Sequence, residues 1–157
     1  MSDLAQIQGF DQLVAKLNKL GSSRTVKSSM TKVLRKVAKP LVKVARSKAP
    51  KGSRDHKRYV KGKGGIGTVV VIKKGNLSRS IGIRNNRKSK GAELFVGPRL
   101  GGKNDGYYAH MVEFGTKYTP AQPFMRPAID STESKLVRMA SQEAALVVQK
   151  EIDRLSR

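Results

Sequence analysis

The stretch Arg24–Lys48 constrains the fold most, because apolar side chains recur in it every three or four positions. That spacing places them along one face of a long α-helix. Pro40 lies inside the pattern and lacks the backbone N–H that a helix needs, so we expect it to kink or split the helix. Ala49 and Pro50 are expected to end it. The chain must therefore fold around a long helix with one apolar face.

Three further segments show helical periodicity. Asp3–Leu20 and Ser131–Leu155 are long and amphipathic, and Tyr107–Phe114 is shorter. Asp130 and Glu133, three residues apart, resemble a capping box at the start of the last helix. The sequence therefore predicts long helices at both ends of the chain.

Short runs of β-branched or alternating apolar residues predict three strands. They are Thr68–Lys73, Ser78–Arg84 and Ala92–Val96, with turn residues between them. The order of the segments predicts an α+β fold in a single domain over residues 1–157. In that fold a small antiparallel sheet of about three to four strands is packed by a long N-terminal helical segment and a C-terminal helix.

Positive charge is concentrated in the middle of the chain. The net charge is +22, from 33 Lys and Arg against 11 Asp and Glu, and residues 21–104 alone hold 24 of the basic residues but only two acids. A surface that served only solubility would more often mix both signs. We therefore expect a polyanionic or strongly acidic partner, which is DNA, RNA or an acidic protein surface.

Glycine and basic residues dominate residues 51–67, which read as a loop, and residues 51–74 are predicted to form a flexible basic arm inserted in the domain. The arm and the polar face of the long helix supply the candidate contacts to that partner. These are Arg54, Lys57, Arg58, Lys61, Lys63, Lys73, Lys74, Lys36 and Lys43. The sequence has no zinc-finger, RNP or basic-zipper pattern, so any DNA contact is expected to be to phosphates.

Several classes of site are disfavoured. The chain has no cysteine, which excludes disulfides and thiol nucleophiles. Residues 62–67 match G-x-G-x-x-G, but a charged loop precedes them and a strand follows, which is the wrong context for a nucleotide. His110 and Glu113 form only half of a di-metal motif, and no convergent acid, base and nucleophile stand out. We expect a non-enzyme with no cofactor, metal or small-molecule substrate.

Membrane association is also not expected. No apolar run is long enough to span a bilayer, and residues 1–6 lack the basic and apolar regions of a signal peptide. The basic helix lacks interfacial aromatic residues. The sequence predicts a soluble, non-secreted protein.

Two neighbouring blocks carry the most specific pattern in the chain. Tyr108–Thr116 reads Tyr-Ala-His-Met-Val-Glu-Phe-Gly-Thr, and Pro120–Ala128 reads Pro-Ala-Gln-Pro-Phe-Met-Arg-Pro-Ala. Together they closely resemble the signature of the tail-completion, or neck, proteins of long-tailed bacteriophages. Ala49-Pro50, Gly75–Ile81 and Phe95–Pro98 resemble further blocks of that family in the same order.

The resemblance implies a structural virion protein at the head–tail junction, present in the host cytoplasm during assembly. It implies a ring, with six copies favoured and twelve possible, that completes the head-proximal end of the tail and joins it to the DNA-filled head. The implied partners are copies of itself, neighbouring neck and tail-terminator or tail-tube proteins, and DNA in the channel. The family usually has only a few residues in place of 51–74, so the resemblance assigns no role to the arm.

The signature also implies the residues of the subunit or neck interface. They are Tyr108, Glu113, Phe114, Gly115, Pro120, Pro123, Phe124, Met125, Arg126 and Pro127. The three prolines are expected to fix an extended connector, and Glu113 is expected to pair with Arg126. Phe124 and Met125 would fill either a groove of a neighbour or the core of their own subunit.

Two alternatives stay open. A tail-tube terminator or another minor tail protein is a sibling role in the same particle, and position in the particle would decide between them. A sequence-independent nucleic-acid-binding basic protein would explain the charge but not the pattern over Glu113–Pro127.

Overall fold

A computed structural model describes residues 24–61, 67–86, 88–101 and 104–155 of the chain. The mixture of helices and strands in this part confirms the predicted α+β class. The helix predicted over Asp3–Leu20 lies outside the described residues. The elements, in chain order, are α1 (Arg24–Lys48), β1 (His56–Lys61), β2 (Gly67–Ile72), α2 (Asn76–Ser80), β3 (Ile81–Asn85), β4 (Leu94–Pro98), α3 (Ala109–Phe114), α4 (Met125–Asp130) and α5 (Glu133–Leu155).

Helix α1 has the bounds that its periodicity predicts. Pro40 lies inside a single continuous helix, so the helix is not split there. Proline removes one backbone hydrogen bond, but buried side chains on both sides of Pro40 hold the two halves against the same core. The helix ends at Lys48, directly before Ala49. Its buried residues are Val33, Val37, Ala38, Val42 and Ala45.

Helix α5 lies antiparallel to α1. Lys36 of α1 pairs with Glu143 near the middle of α5, and Thr25 at the start of α1 shares a groove with Glu151 and Arg154 near the end of α5. The two long helices therefore lie side by side.

The start of α5 is two residues later than predicted. The hydroxyl groups of Ser131 and Thr132 donate to the carbonyl groups of Pro127 and Ala128, each at 2.7 Å. These bonds make a turn between α4 and α5. Asp130 is the last residue of α4, so the predicted capping box at the start of α5 is wrong.

The strands form two separate antiparallel pairs, β1 with β2 and β3 with β4, so the prediction of one sheet is wrong. Helix α2 separates the pairs and replaces the first part of the predicted strand Ser78–Arg84. Gly75 precedes it with a φ of 70°, and the buried Ser80 donates its hydroxyl to the carbonyl of Leu77. The backbone thus completes a helical turn before β3 begins.

Strands β3 and β4 lie against α1. Arg46 of α1 donates from Nε and Nη2 to the carbonyl oxygen of Ile81, at 3.1 and 2.8 Å, and the Ile81 side chain is fully buried. Strand β4 begins and ends two residues later than predicted, and it pairs Val96 with Ile83 of β3. This pair of strands forms one wall of the core.

Strands β1 and β2 form a hairpin where the sequence predicts a loop over residues 51–67. That prediction is wrong over His56–Lys61, which pairs along its whole length with Gly67–Ile72. Charged side chains do not prevent a strand when one of its faces is exposed, and the valine-rich partner strand has high β-propensity. The basic arm predicted over residues 51–74 is therefore built around a hairpin.

The core lies where α1, α3 and α4 meet β3. Phe124 is 1% exposed and is the largest fully buried side chain in the described part of the chain. Small side chains around it let the helix backbones approach closely, as dense packing requires. The buried alanines of this core are Ala45, Ala49, Ala109 and Ala128.

Candidate assembly interface

The signature residues form one connected unit from α3 to α4. Helix α3 ends at Gly115, whose φ of 78° and ψ of 179° are essentially restricted to glycine. A Cβ atom on Gly115 would lie 2.8 Å from the amide nitrogen of Ala121. The Gln122 N–H then donates to the Val112 carbonyl at 2.8 Å. These features return the connector alongside α3.

The carboxylate of Glu113 fixes the start of α4. Its Oε2 atom accepts hydrogen bonds from the backbone N–H groups of Phe124 and Met125, at 2.8 and 3.0 Å. Its Oε1 atom accepts one from the Arg126 N–H at 3.1 Å. The first N–H groups of a helix have no partner within that helix. Glu113 therefore caps α4 from a helix earlier in the chain.

The charge state of Glu113 follows from these contacts. Burial of the carboxylate by itself raises its pKa, but the N–H groups of Met125, Phe124 and Arg126 lower it, as does the positive charge of Arg126. The net result is a Glu113 pKa below its ordinary value. The capping carboxylate is thus ionised at neutral pH.

The predicted ion pair of Glu113 with Arg126 is not formed, as judged from the part of the chain that is described. Both Glu113 oxygens accept from backbone N–H groups instead. The Arg126 guanidinium lies over the Phe114 ring, 5.3 Å from its centre. Arg126 therefore acts on Glu113 through its backbone N–H and its charge.

Phe124 and Met125 lie in their own subunit. Phe124 is at the centre of the core, and Met125 is half-buried against it. Tyr108 also packs on this core, with its ring edge-to-face against His56 and Tyr107. Phe124 thus fills the core of its own subunit, whereas Met125 packs on that core with part of its side chain exposed.

The three prolines of the signature have two different roles. Pro120 and Pro123 are exposed and lie in the connector, where neither is part of a helix or strand. Pro127 is the third residue of α4, so the prediction of an extended backbone there is wrong. Proline is accommodated in a first helical turn because the N–H groups there lack helical partners.

A groove with exposed apolar walls lies on one side of α3, and we call it the Phe114 groove. Phe114 is 65% exposed, and Leu100 and Ile129 are exposed beside it. The groove has a volume of about 410 Å³, and Phe124 and Met125 also line it. One wall of the groove is therefore a buried core residue, and the other walls carry large apolar side chains that are exposed.

A second groove lies between α3 and the base of the hairpin. It has a volume of about 600 Å³ and is lined by Met111 and Val112 of α3, His56 of β1, and Tyr118 of the turn after α3. The two grooves lie on different sides of α3, because different residues of that helix line them. Basic residues also line the second groove, namely Lys51, Arg54, Lys73 and Lys74.

Two of the candidate polyanion contacts are engaged within the subunit. Arg58 pairs with Asp105, and its guanidinium lies 3.6 Å from the centre of the Tyr107 ring. Lys36 pairs with Glu143. Their charges are partly neutralised inside the protein.

The structure describes most, but not all, of the remaining candidate polyanion contacts. The Lys61 side chain and the whole of Lys63 lie outside the described part of the chain. The others are exposed and form no ion pair within the described ranges. They are Arg54, Lys57, Lys73, Lys74 and Lys43.

A row of lysines along one face of α1 extends this set. Lys32 and Lys39 lie on the same face as Lys36 and Lys43, because the four are spaced by four, three and four residues. All four are exposed, and the row is about 16 Å long. This spacing is visible in the sequence, and the row adds Lys32 and Lys39 to the candidates Lys36 and Lys43.

Two general findings limit the kinds of site. Within the described ranges, no group of three or more His, Asp or Glu side chains is placed to hold a metal ion. None of the helices in the described part is both long and apolar enough to cross a membrane.

The class of the protein follows from a comparison with known families. A family model described as "Bacteriophage HK97-gp10, putative tail-component" matches residues 11–115, which is two thirds of the chain, and the protein belongs to that family. The match ends at Gly115, so it includes Glu113 but not the residues that Glu113 caps. No curated protein and no solved structure gives a significant match.

Proposed function

We propose that this protein is a subunit of the phage neck. In this role a ring of copies completes the head-proximal end of the tail and joins it to the DNA-filled head. Membership of a tail-component family supports a structural rather than a catalytic role. The observation that carries the finer role is the unit from α3 to α4, which has the neck-protein signature and holds an apolar groove in place.

The Phe114 groove has the properties of a pre-formed binding surface. Phe124 is buried on one side of it, and Glu113 caps the helix that carries Met125 and Ile129. A surface that is already ordered loses little conformational entropy on binding. Exposed apolar side chains that lie together are typical of surfaces that an assembly buries.

The lysine row supports a second contact in the same role, with DNA in the channel or with an acidic ring of a neighbouring protein. Lys32, Lys39 and Lys43 are exposed and form no ion pair in the described part of the subunit. Duplex DNA carries one charge per about 1.7 Å of its axis. A row about 16 Å long therefore faces several phosphates when it lies along a duplex.

Immunogold electron microscopy of purified phage particles tests the neck assignment. We expect label confined to the head–tail junction. Particles that contain none of this protein would contradict the structural role and would favour the nucleic-acid-binding alternative. That alternative also requires binding to random-sequence duplex DNA that weakens steeply as salt rises.

Deletion of the gene separates tail completion from tail termination. Without a completion protein, tails of normal length should accumulate beside filled heads and fail to join them. Tails of uncontrolled length would show that the protein is instead the terminator. Label along the tail shaft or at its far end would assign it to another minor tail protein.

Removal of the arm tests whether the arm is needed to join heads to tails. Replacement of residues 51–74 by a short Gly-Ser linker should leave a folded protein, because α1, β3, α3 and α4 form the core without the hairpin. We expect this variant to fail in joining heads to tails. Joining at the wild-type level would show that the arm is dispensable.

A further inference from the structure

We propose that the hairpin of one subunit docks, through its outer face, in the Phe114 groove of the next copy. The outer face consists of Lys57 and Tyr59 of β1 with Val69 and Val71 of β2. This inference rests on the proposed ring and names the two surfaces that would close it. The partner is a second copy of this chain.

The register of the hairpin defines the outer face. Lys57 pairs with Val71, and Tyr59 pairs with Val69, and directly paired residues lie on the same face of a ladder. Tyr59 is 69% exposed and Val71 is 52% exposed, and no described part of the subunit covers them. An exposed sheet face that carries two valines and a tyrosine is typical of a surface that another protein covers.

The opposite face of the hairpin is anchored to the body of the subunit. Ile72 is 5% exposed, and Arg58 contacts both Asp105 and the ring of Tyr107. His56 packs edge-to-face on Tyr108. The outer face is therefore held in a fixed direction, away from the surface to which the hairpin is attached.

Tyr59 is itself ordered on the hairpin. A Cβ atom on Gly67 would lie 1.7 Å from the Tyr59 hydroxyl oxygen, so the tyrosine ring lies directly over Gly67. Aromatic rings commonly cover strand glycines in this way. The ring therefore forms part of the surface before any partner binds.

Exposed carboxylates that follow the groove residue Ile129 in the chain have the charge opposite to that of the hairpin. The described part of the chain holds nine carboxylates, and seven of them accept a hydrogen bond within the subunit. The other two, Asp130 and Glu133, accept none from the described residues, and both are exposed. Asp130 directly follows Ile129 of the Phe114 groove, and Glu133 is the first residue of α5. Among the residues that line the groove itself, Glu113 accepts backbone hydrogen bonds and Arg126 lies over the Phe114 ring. Lys57 is the cation that the outer face would bring to Asp130 and Glu133.

The placement of the two surfaces favours a ring. The hairpin base lies beside Met111 and Val112 of α3, whereas the Phe114 groove is lined by His110 and Phe114 of the same helix. One subunit thus presents two different, complementary surfaces on different sides of α3. Such heterologous contacts repeat from copy to copy and close into a ring when the rotation allows it.

Charge reversal with mixing tests the pairing. Lys57→Glu alone, and Asp130→Lys with Glu133→Lys in one chain, should each weaken self-association about tenfold or more in sedimentation or light-scattering measurements. An equimolar mixture of the two variants should recover association, because alternating copies restore opposite charges at every contact. Lys150→Glu, on an exposed part of α5, is the matched control and should have no effect.

Three results of these association experiments would contradict the docking of the hairpin in the groove. Wild-type protein that stays monomeric at high concentration, or a mixture that associates no better than its components, would overturn the proposal. The same holds if Lys57→Glu leaves association unchanged but weakens binding to a DNA duplex, since the outer face would then contact nucleic acid.

Cysteine cross-linking locates the contact, since the chain has no native cysteine. Val69→Cys mixed with Ile129→Cys should give a cross-linked dimer, and neither variant should do so alone. Val69→Cys mixed with Leu146→Cys, on an exposed part of α5, is the matched control and should give none. Dimers of Val69→Cys alone would mean that hairpins meet each other and would refute this contact. Label at the head–tail junction without the expected cross-link would refute only the docking, not the neck role.

Discussion

The connector between α3 and α4 and the hairpin β1–β2 lie beside the same helix but are held in opposite ways. In the connector, backbone N–H groups bond to Glu113, and Phe124 enters the core. In the hairpin, Ile72 and Arg58 anchor one face, and the other face is left exposed. The connector is therefore needed for the folding of the subunit itself, whereas the hairpin has an exposed face that can contact a partner.

The largest effect on folding should come from the connector. Phe124→Ala removes the largest buried side chain of the described core and should lower the free energy of unfolding by about 3–5 kcal/mol. Phe114→Ala, ten residues earlier and 65% exposed, should change it by less than about 1 kcal/mol. Urea denaturation followed by circular dichroism measures both. Equal losses would show that the two phenylalanines do not divide between core and surface.

Loss of the cap should come next. Glu113→Ala leaves three N–H groups of α4 without their acceptor and should cost about 2–4 kcal/mol. Arg126→Ala keeps its backbone N–H and should cost less than about 1 kcal/mol, mainly from the lost contact with Phe114. The same denaturation experiment compares them. A loss in Arg126→Ala as large as that in Glu113→Ala would restore the ion-pair explanation.

Two neighbouring residues of β2 sharpen the contrast within the hairpin. Ile72→Ala empties a buried site and should cost about 2–3 kcal/mol, whereas Val71→Ala should cost less than about 1 kcal/mol. Their order should invert in self-association, where Val71→Ala weakens the contact between copies. Sedimentation velocity at several concentrations checks the second part, and an unchanged association constant in Val71→Ala would count against the docked face.

Acid should weaken the connector through Glu113. Its pKa is lower in the folded protein than in the unfolded chain, so its contribution to stability is complete above the unfolded value of about 4.3. That contribution is lost as pH falls through the lower folded pKa. Midpoints of urea denaturation between neutral pH and pH about 3 should therefore fall more steeply in the wild type than in Glu113→Gln. Parallel curves would mean that Glu113 does not carry this dependence.

The smallest expected changes in stability distinguish the two faces of β1. Arg58→Ala loses a half-buried ion pair and a cation–π contact and should cost about 1 kcal/mol. Lys57→Ala, on the outer face, should leave stability unchanged within about 0.5 kcal/mol. Thermal unfolding of the two variants side by side is sensitive enough to decide. A loss in Lys57→Ala would show that the outer face is already engaged within the subunit.

The sequence predicts those parts of the fold that depend on neighbours along the chain. The bounds of α1 follow from apolar spacing and from Ala49-Pro50, and Gly115 marks the end of α3 as its position suggests. The signature includes Phe114, Phe124, Met125 and Arg126, which line the Phe114 groove. These features are local, and the residues responsible for them lie within a few positions of one another.

The parts that the sequence does not predict depend on distant partners. Strand β1 carries mostly basic side chains, and only its pairing with a valine-rich strand makes it a strand. From its charge, Glu113 is predicted to form an ion pair with Arg126. In the structure its carboxylate oxygens instead accept hydrogen bonds from backbone N–H groups 11 to 13 residues later in the chain. Likewise, the sequence pattern does not predict the helix Asn76–Ser80. The structure shows that Gly75 precedes this helix in the left-handed conformation and that Ser80 at its end is buried.

The cap at Glu113 also has a mechanical consequence. Helix α4 has only six residues and leads, through a two-residue turn, into the 23-residue helix α5. That helix is about 34 Å long, so a tilt of about 10° at its base would move its far end by roughly 6 Å. Because α5 also packs along α1, with Lys36 paired to Glu143, such a tilt would require the contacts between the two long helices to shift as well. The cap at Glu113 and the packing of the two long helices therefore act on the same degree of freedom.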